Sequence, residues 1–573
     1  MGLGILEDRV MDHVPGTTRY FDDPERPQYA VDGAEGLKCD TSGPLPIILV
    51  PQPSDDPNDP LNWPLWKKDL ITFILSLTAI FATALGPILA ANTMTLSWHF
   101  TKSLKNVAKL TGWFLLGVGV AGFLIVPSGR IWGKRHLFIG GTVLLVATCA
   151  WGGSVGTNYE SFICARIFQG VATAPFEAFV NAAVGDLYFV HQRGKRMAFT
   201  NLAVFGGAFF TPILVGKITK ELKWWWTFYL VAIFCAVCLP AIIFLCPETA
   251  YVRDASLNLD LLSTDNPAAR KRDEVARDDP EKTADTTSAP SPPSSAAGTD
   301  GVEGAATEPR AHPVTPKVSY WRSLALFNGR KTNESFWKLL LRPLPLFVQP
   351  AFLWACLIQG LLIGWTVFIG VIMAQFFMGP PLWWDEVNSG YAYTGAFVGA
   401  IIGFVIAGLL SDWSARYLTK LNGGIYEPEF RIILVIPQMI LGCAGLFGFG
   451  MTVDGLLKSQ YSFYVPLTFF ALEVAGMVIG AVAGSLYIVD AYRDLAIEGF
   501  TCMIIFKNMF SFGLTFKAYD WLIENQTKAT PLFNALGAVQ VVVCVLSIPM
   551  YIYGKRCRSF FHRHDLLAIC GVR

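Results

Sequence analysis

Twelve stretches of about 20 mostly apolar residues, each long enough to cross the hydrocarbon of a bilayer, decide what this chain can fold into. They lie at about 70–93, 107–128, 136–156, 161–184, 197–217 and 225–246, then at about 346–374, 388–410, 431–451, 461–488, 496–518 and 531–553. In lipid every backbone N–H and C=O must find a partner inside the protein, which makes a long continuous apolar run a helix. The 573 residues are 53% hydrophobic and 16% charged, where a soluble domain carries about 25% charge. Mean hydropathy is +0.43. The expectation is an all-α membrane protein with twelve transmembrane helices, six before a long gap and six after it. A net charge of +1 leaves no basic footprint for nucleic acid.

The polar segments divide the chain. Residues 1–69 read as a polar N-terminal tail without the apolar core of a cleavable signal. Residues 70–246 and 346–554 read as two membrane units, 247–345 as a central loop and 555–573 as a C-terminal tail. Within the loop, "DTTSAPSPPSSAAGTDGVEGAATEP" has too few apolar side chains to offset its ordering entropy, so most of the loop is expected to be disordered. Its last part, "SYWRSLALFNGRKTNESFWKLLLRPLP", is expected to lie as an amphipathic helix on the membrane surface.

Lys and Arg gather in alternate connections. Lys67, Lys68, Arg130, Lys134, Arg135, Arg193, Lys195, Arg196, Arg416, Lys420, Arg493 and Lys555 all fall on the side of the termini. The positive-inside rule then puts both termini in the cytoplasm, and the plasma membrane is the expected host. Of the two sequons, Asn333-Glu-Ser and Asn525-Gln-Thr, only Asn525 falls outside and is the candidate for glycosylation. Cys149, Cys164, Cys235, Cys238, Cys356, Cys443, Cys502 and Cys544 sit inside apolar runs and are expected as small buried side chains, not disulfide partners.

Charges inside the spans are the candidates for function. "RIFQGVATAPFEAFVNAAVGD" (166–186) places Arg166 and Glu177 eleven residues apart. At about 100° per residue they return to nearly the same helix face, roughly 16 Å apart along the axis. Gln169, Gly170, Thr173 and Asn181 share that face. Each charge costs about 2.5–3.5 kcal/mol near the bilayer centre, so the stripe faces either a water-filled cavity or a neighbouring helix as polar glue. In the second half Glu473 falls mid-span in the tenth helix, Lys507 and Asn508 in the eleventh, Gln359 and Trp365 in the seventh. Glu473 and Lys507 lie at matching depth and are expected to pair. Glu177 and Glu473 are the candidates for proton transfer, because a carboxyl moved out of water changes protonation closer to neutral pH. Gly395, Gly399 and Gly403, and Gly476, Gly480 and Gly484, form small-residue ridges for close helix packing. Trp224, Trp225 and Trp226 read as interfacial anchors.

Several of these stretches resemble motifs of the major facilitator superfamily, over nearly all of the membrane portion. "RIFQG" (166–170) is similar to the fourth-helix motif R-x-x-Q-G. "GLLSDWSAR" (408–416) resembles the loop motif G-x-L-x-D-x-x-G-R through Gly408, Asp412 and Arg416, with Ala415 for the later Gly. The matching first-half loop, "VPSGRIWGKR" (126–135), keeps Gly133, Lys134 and Arg135 but has Arg130 where the motif has Asp. "GAFFTPILVG" (207–216) resembles the antiporter motif at Gly207, Pro212 and Gly216, and departs from it at Thr211 and Val215. "DPNDPLNWPLWKKD", "VGDLYFVHQRGKR", "PETAYVR" and "LNGGIYEPEFR" resemble the fungal drug:proton antiporter branch that includes polyamine/histidinol permeases.

That resemblance implies two six-helix bundles around a central site, alternating access, and Arg166 acting in proton coupling, beside the buried carboxyl groups of Glu177 and Glu473 read from the residues. Gln169, Thr173, Asn181, Gln359, Trp365, Lys507 and Asn508 are then the substrate-binding candidates. The expected function is proton-coupled transport of small organic molecules by a monomer in the lipid bilayer, with no cofactor and no enzymatic step. Efflux of toxins, drugs or secondary metabolites leads, with import of organic cations such as polyamines, or a non-transporting sensor, as alternatives. No G-x-x-x-x-G-K-[ST] is present for an ATP-driven pump. None of the seven histidines falls deep in a span, which argues against intramembrane haem or metal.

Overall fold

The computed structural model describes residues 3–8, 10–11, 14–19, 38–40, 47–49, 52–253, 316–423, 425–492 and 495–572. Twelve long helices dominate them. In the first half these are α1 (Leu65–Ala84), α2 (Leu104–Trp132), α3 (Arg135–Gly153), α4 (Tyr159–Leu187), α5 (Val190–Leu222) and α6 (Trp225–Leu245). In the second half they are α7 (Pro350–Phe377), α8 (Tyr393–Leu421), α9 (Val435–Leu457), α10 (Tyr464–Ala491), α11 (Ala496–Glu524) and α12 (Ala529–Val545), the last continued by Ser547–Arg563. Ten helices among the described residues are long and apolar enough to cross a membrane. The two that fall short are α1, whose first turns carry Lys67, Lys68 and Asp69, and α4, which bears the charged stripe.

Local signals set the helix ends. Asn158 caps α4 by accepting from the Ser161 N–H at 3.0 Å. Gly133 ends α2 at φ +92°, where a Cβ would strike the Glu248 carboxylate. The first helix ends earlier than the hydropathy suggests, because Gly86-Pro87 breaks it and a separate short helix, Thr93–Phe100, follows. The expected amphipathic helix after the loop is also broken. It resolves into Tyr320–Ser323, Phe336–Leu341 and Pro343–Leu346, interrupted by Gly329 at φ +79° and by Pro343. Residues 254–315, where disorder is expected, lie outside the described residues.

Each half has its own apolar core, one running from Ile71 to Cys246 and the other mostly from Leu346 to Val572. The small-residue ridges let backbones touch. A Cβ at Gly395 would meet Leu467 O at 2.9 Å and one at Gly403 would meet Ala475 O at 2.7 Å, so α8 lies directly on α10. The second ridge works the same way, with Gly476 against the backbone of Gly442. Trp224 departs from its expected anchor role. It is 3% exposed and packs on His99, Phe162 and Phe228, while Trp226 stays exposed. The eleven cysteines from Cys149 to Cys570 are all free thiols, and Cys164 differs from expectation in pointing outward.

The N-terminal residues run back over the second half. Leu6 N donates to Ile552 O, Lys555 pairs with Glu7 at 2.6 Å, and Thr17 donates to Glu427 at 2.7 Å. The two-residue strands β1 (Thr18–Arg19) and β2 (Ile425–Tyr426) pair antiparallel. Both chain ends therefore lie on one face, called here the terminal face.

Candidate functional site

The polar stripe of α4 divides into two parts. Arg166 is 0% exposed and lies inside the first bundle. It donates to Leu110 O at 3.3 Å and to Gln169 Oε1 at 3.0 Å, and its guanidinium stacks over Phe114 at 4.7 Å. Gln169 in turn donates to Thr148 O, and Thr173 to Ala82 O and Gln169 O. A Cβ at Gly170 would collide with Phe114 O. These groups join α4 to α1, α2 and α3, so this part of the stripe is glue between helices. One Arg166 nitrogen, Nη2, is buried without a partner among the described residues.

The other part faces the second half. Glu177 accepts from Lys507 Nζ at 2.9 Å and from Asn508 Nδ2 at 3.1 Å, both on α11. Lys507 is thus not the partner of Glu473, as its depth suggests, but of a carboxylate in the opposite bundle. The reason is facing: α11 packs along α2 and α4 on one side and along α7 on the other, and Lys507 lies on the first side. The pair's side chains are 10% and 16% exposed. Nearer the terminal face, Asn181 donates to Asn201 at 2.8 Å and accepts from Thr200 at 2.6 Å, which ties α4 to α5.

Glu473 is 0% exposed. Its oxygens lie 2.8 and 3.0 Å from Thr366 Oγ1 on α7, and that hydroxyl also sits 2.9 Å from Leu362 O. No cation approaches it among the described residues. On another side of α7, Gly360 and Gly364 seat Phe506 and Phe510 of α11. Gln359 Oε1, Trp365 Nε1 and Ser511 Oγ are buried in this region without hydrogen-bond partners, which makes them available to a ligand.

Contacts between the halves sit at three levels. On the face away from the termini, Thr95 donates to Glu386, Lys220 pairs with Asp385 at 3.1 Å and Lys105 with Asp520 at 2.5 Å. Asp385 caps its short helix, and its carboxyl is held below the usual aspartate range by the Asn388 N–H and by Lys220. In the middle stands Glu177–Lys507. On the terminal face Arg130, at the end of α2, pairs with Glu498 in the first turn of α11. Arg342 lies 3.5 Å from the same Glu498 and 2.6 Å from Glu334, so two arginines and two glutamates alternate across the halves.

The loop motif residues lie at the terminal face. Lys134 N and Arg135 N both donate to the Glu248 carboxylate at 3.0 Å, Lys134 Nζ pairs with Asp186 at 2.6 Å, and Arg135 reaches Cys246 O and Ile243 O. The second-half counterpart is different. Asp412 and Arg416 are exposed, and a Cβ at Gly408 would meet nothing. Arg431 serves that end of α8, donating to Ser411 at 2.6 Å and to Asp490 at 3.0 Å. Gly216 and Gly390 let α5 and the short helix Glu386–Tyr391 before α8 touch at Glu386 O and Pro212 O, and Gly207 receives Ile80. Asn525 ends α11 on the face away from the termini, while Asn333 lies on the terminal face. Sequence reasoning missed Glu427, Glu429, Asp490 and Arg558. Arg558 is buried between both glutamates at 2.9 and 2.8 Å. The only signal was the density of charge in "LNGGIYEPEFR".

Two helical bundles that meet along α2–α11 and α5–α8, with a charged pair between them at mid-depth, define a membrane transporter. The family model for the Major Facilitator Superfamily matches residues 71–496, and the chain belongs to that family. It is 27% identical to Protein HOL1 of Saccharomyces cerevisiae, over 97% of each chain. It is 24% identical to the citrinin biosynthesis cluster MFS transporter mrr1 of Monascus ruber, covering 88% of this chain and 90% of that one. Among solved structures, the xylose transporter XylE from E. coli in a partially occluded inward open conformation aligns with a TM-score of 0.54 at 11% identity. That alignment covers 85% of this chain and 97% of XylE, and it shows the fold.

Proposed function

We propose that the chain is a proton-coupled transporter that exports small, partly apolar organic molecules by alternating access, with its central site at Glu177, Lys507 and Asn508. The observation that carries this reading is the ion pair between the bundles at mid-depth, because a rocking motion changes which face that level communicates with. Substrate enters against Gln359, Trp365 and Ser511, whose buried polar atoms have no other partner. The aromatic wall of Phe506 and Phe510 suits an apolar ligand. Glu473, out of water and bonded to Thr366 alone among the described residues, is the proton carrier within the second bundle. Arg166 acts indirectly by holding α4 against α2. The chain works as a monomer in the plasma membrane with both termini in the cytoplasm, and Asn525 faces outside.

Relatives named for biosynthetic gene clusters, such as the citrinin transporter, support export. Import of organic cations is the second reading, favoured by two carboxyl groups at mid-depth. Lys507 already neutralises one of them, which is why export leads. Flux in proteoliposomes with an imposed pH gradient separates the two. Export predicts uptake of neutral aromatic compounds into vesicles that present the terminal face outward, driven by an acidic lumen and collapsed by a protonophore. Glu177→Gln should abolish that uptake while the protein still folds. Proton-driven movement of polyamines in the opposite sense would replace this reading with import. Unchanged flux in the Glu177→Gln variant would remove Glu177 from the mechanism.

A further inference from the structure

The segment before α7 leaves a surface that the transport reading does not use. Trp321, Trp337 and Phe327 are 73%, 70% and 56% exposed. Arg322, Arg330 and Lys338 are exposed beside them. Residues 316–348 contain six Lys or Arg and one acidic residue, Glu334, which Arg342 holds at 2.6 Å. Arg330 donates to the carbonyls of Thr332 and Glu334 and forms no ion pair among the described residues.

The segment is also fixed at a definite depth. Tyr320 OH donates to Phe244 O in the last turn of α6 at 2.6 Å, and Lys331 N donates to Ile131 O at the end of α2 at 2.7 Å. Phe336 lies against Trp132 and Phe327 against His136, with ring centres 6.2 and 5.1 Å apart. It therefore crosses the ends of three membrane helices, at the level where apolar spans give way to headgroups. Tryptophan prefers that layer, and basic side chains there attract anionic lipid.

We propose that residues 317–338 form an interfacial platform that binds the headgroups of anionic phospholipids in the leaflet at the terminal face. Trp321 and Trp337 enter the headgroup region, and Arg322, Arg330 and Lys338 meet the phosphates and carboxylates. The occupant follows from charge complementarity: the surface is basic and aromatic, and its depth is that of the headgroups. The proposal does not depend on the transport reading.

Full-length protein in vesicles of phosphatidylcholine tests this, with brominated phosphatidylserine or brominated phosphatidylcholine added at equal mole fraction. The emission lost between the wild type and the Trp321→Phe/Trp337→Phe variant isolates these two residues. That emission should be quenched at least about threefold more strongly by the brominated serine lipid. The Arg322→Gln/Arg330→Gln/Lys338→Gln variant should remove the preference while keeping the quenching. Equal quenching of the wild type by both lipids would overturn the anionic selectivity. Absence of quenching by either lipid, including the case where cross-linking shows a second copy covering this face, would overturn the platform itself.

Discussion

Lys507 Nζ lies 2.9 Å from Glu177 Oε1 and joins α11 of the second bundle to α4 of the first at mid-depth. With both side chains largely buried, removing one partner strands the other charge. Glu177→Gln and Lys507→Gln are each expected to lower the thermal unfolding temperature in detergent. The double variant should recover part of the loss, with a coupling of about 0.5–3 kcal/mol. A double-mutant cycle read by unfolding fluorescence measures it. Additive losses would mean that the two charges do not stabilise one another.

Glu473 presents the opposite case. Thr366 has one hydroxyl proton, and Leu362 O competes for it at 2.9 Å. A neutral acid at Glu473 satisfies all three groups, because it donates to the Thr366 oxygen while Thr366 donates to the carbonyl. Glu473→Gln keeps that shape and its donor. It is expected to change stability by under about 1 kcal/mol while removing proton dependence from substrate flux. Glu473→Leu, which leaves the Thr366 oxygen without a donor while its proton stays on Leu362 O, should cost about 1–3 kcal/mol. A Gln variant that retains full proton-driven accumulation would take Glu473 out of the coupling path.

Much of this arrangement is legible in the residues. Runs of apolar side chains locate the helices because lipid gives the backbone no other partner. Glu177 stands out for the same reason, as a charge where charge is expensive. What the pattern could not supply is which neighbour each face meets. Arg166 and Glu177 share one side of one helix, yet Arg166 is enclosed by its own bundle and Glu177 meets the other. The helix crossing decides this, and periodicity carries no information on it. The partner of Arg130 was hidden likewise. Its complement, Glu498, lies 368 residues away, so the departure from the loop motif looked like a loss and is a pairing with α11.

Arg130 and Glu498 close the terminal face across the bundles, and Arg342 stands beside Glu498. Arg130→Gln should release α2 from α11 there while Arg342 still compensates Glu498. The expected result is about tenfold faster alkylation of a cysteine placed at Asn201, a change of about 1.4 kcal/mol in the opening equilibrium. Glu498→Gln should act in the same direction and cost more stability, because it leaves Glu334 alone to compensate both Arg130 and Arg342. Unchanged labelling in both variants would show that the closure rests on other contacts.

Asp59 gives a pH dependence outside the membrane. Burial pushes its carboxyl upward, but bonds from Arg253 at 2.8 and 3.0 Å and from the Leu61 and Ser54 N–H groups outweigh it. The net effect is a pKa below the ordinary 3.8. A depressed carboxyl contributes stability above its unfolded pKa and loses it as pH falls through the folded value. Residues 52–63 should therefore stay docked on Tyr251–Arg253 at neutral pH and loosen below about pH 4. Hydrogen exchange of this segment at pH 7 and pH 3.5, compared at matched intrinsic rates, should show the loss of protection. Arg253→Gln should lower protection already at pH 7 and shrink the further loss between pH 7 and pH 3.5, and an unchanged loss would exclude this pair as its cause.

Gly399 sits where α8 crosses α10, and a methyl group there would run into Ala471 O. The obstacle is backbone of a neighbouring helix, which a side-chain rotation cannot relieve. Gly399→Ala is expected to push α8 away from α10 and cost about 1–3 kcal/mol in thermal unfolding. Gly408→Ala, on the same helix with open space around it, serves as the control and should gain or lose under about 1 kcal/mol. If the ridge served sliding more than packing, Gly399→Ala would leave unfolding unchanged and slow flux alone. Equal unfolding temperatures for the two variants, with flux reduced only at Gly399, would establish that outcome.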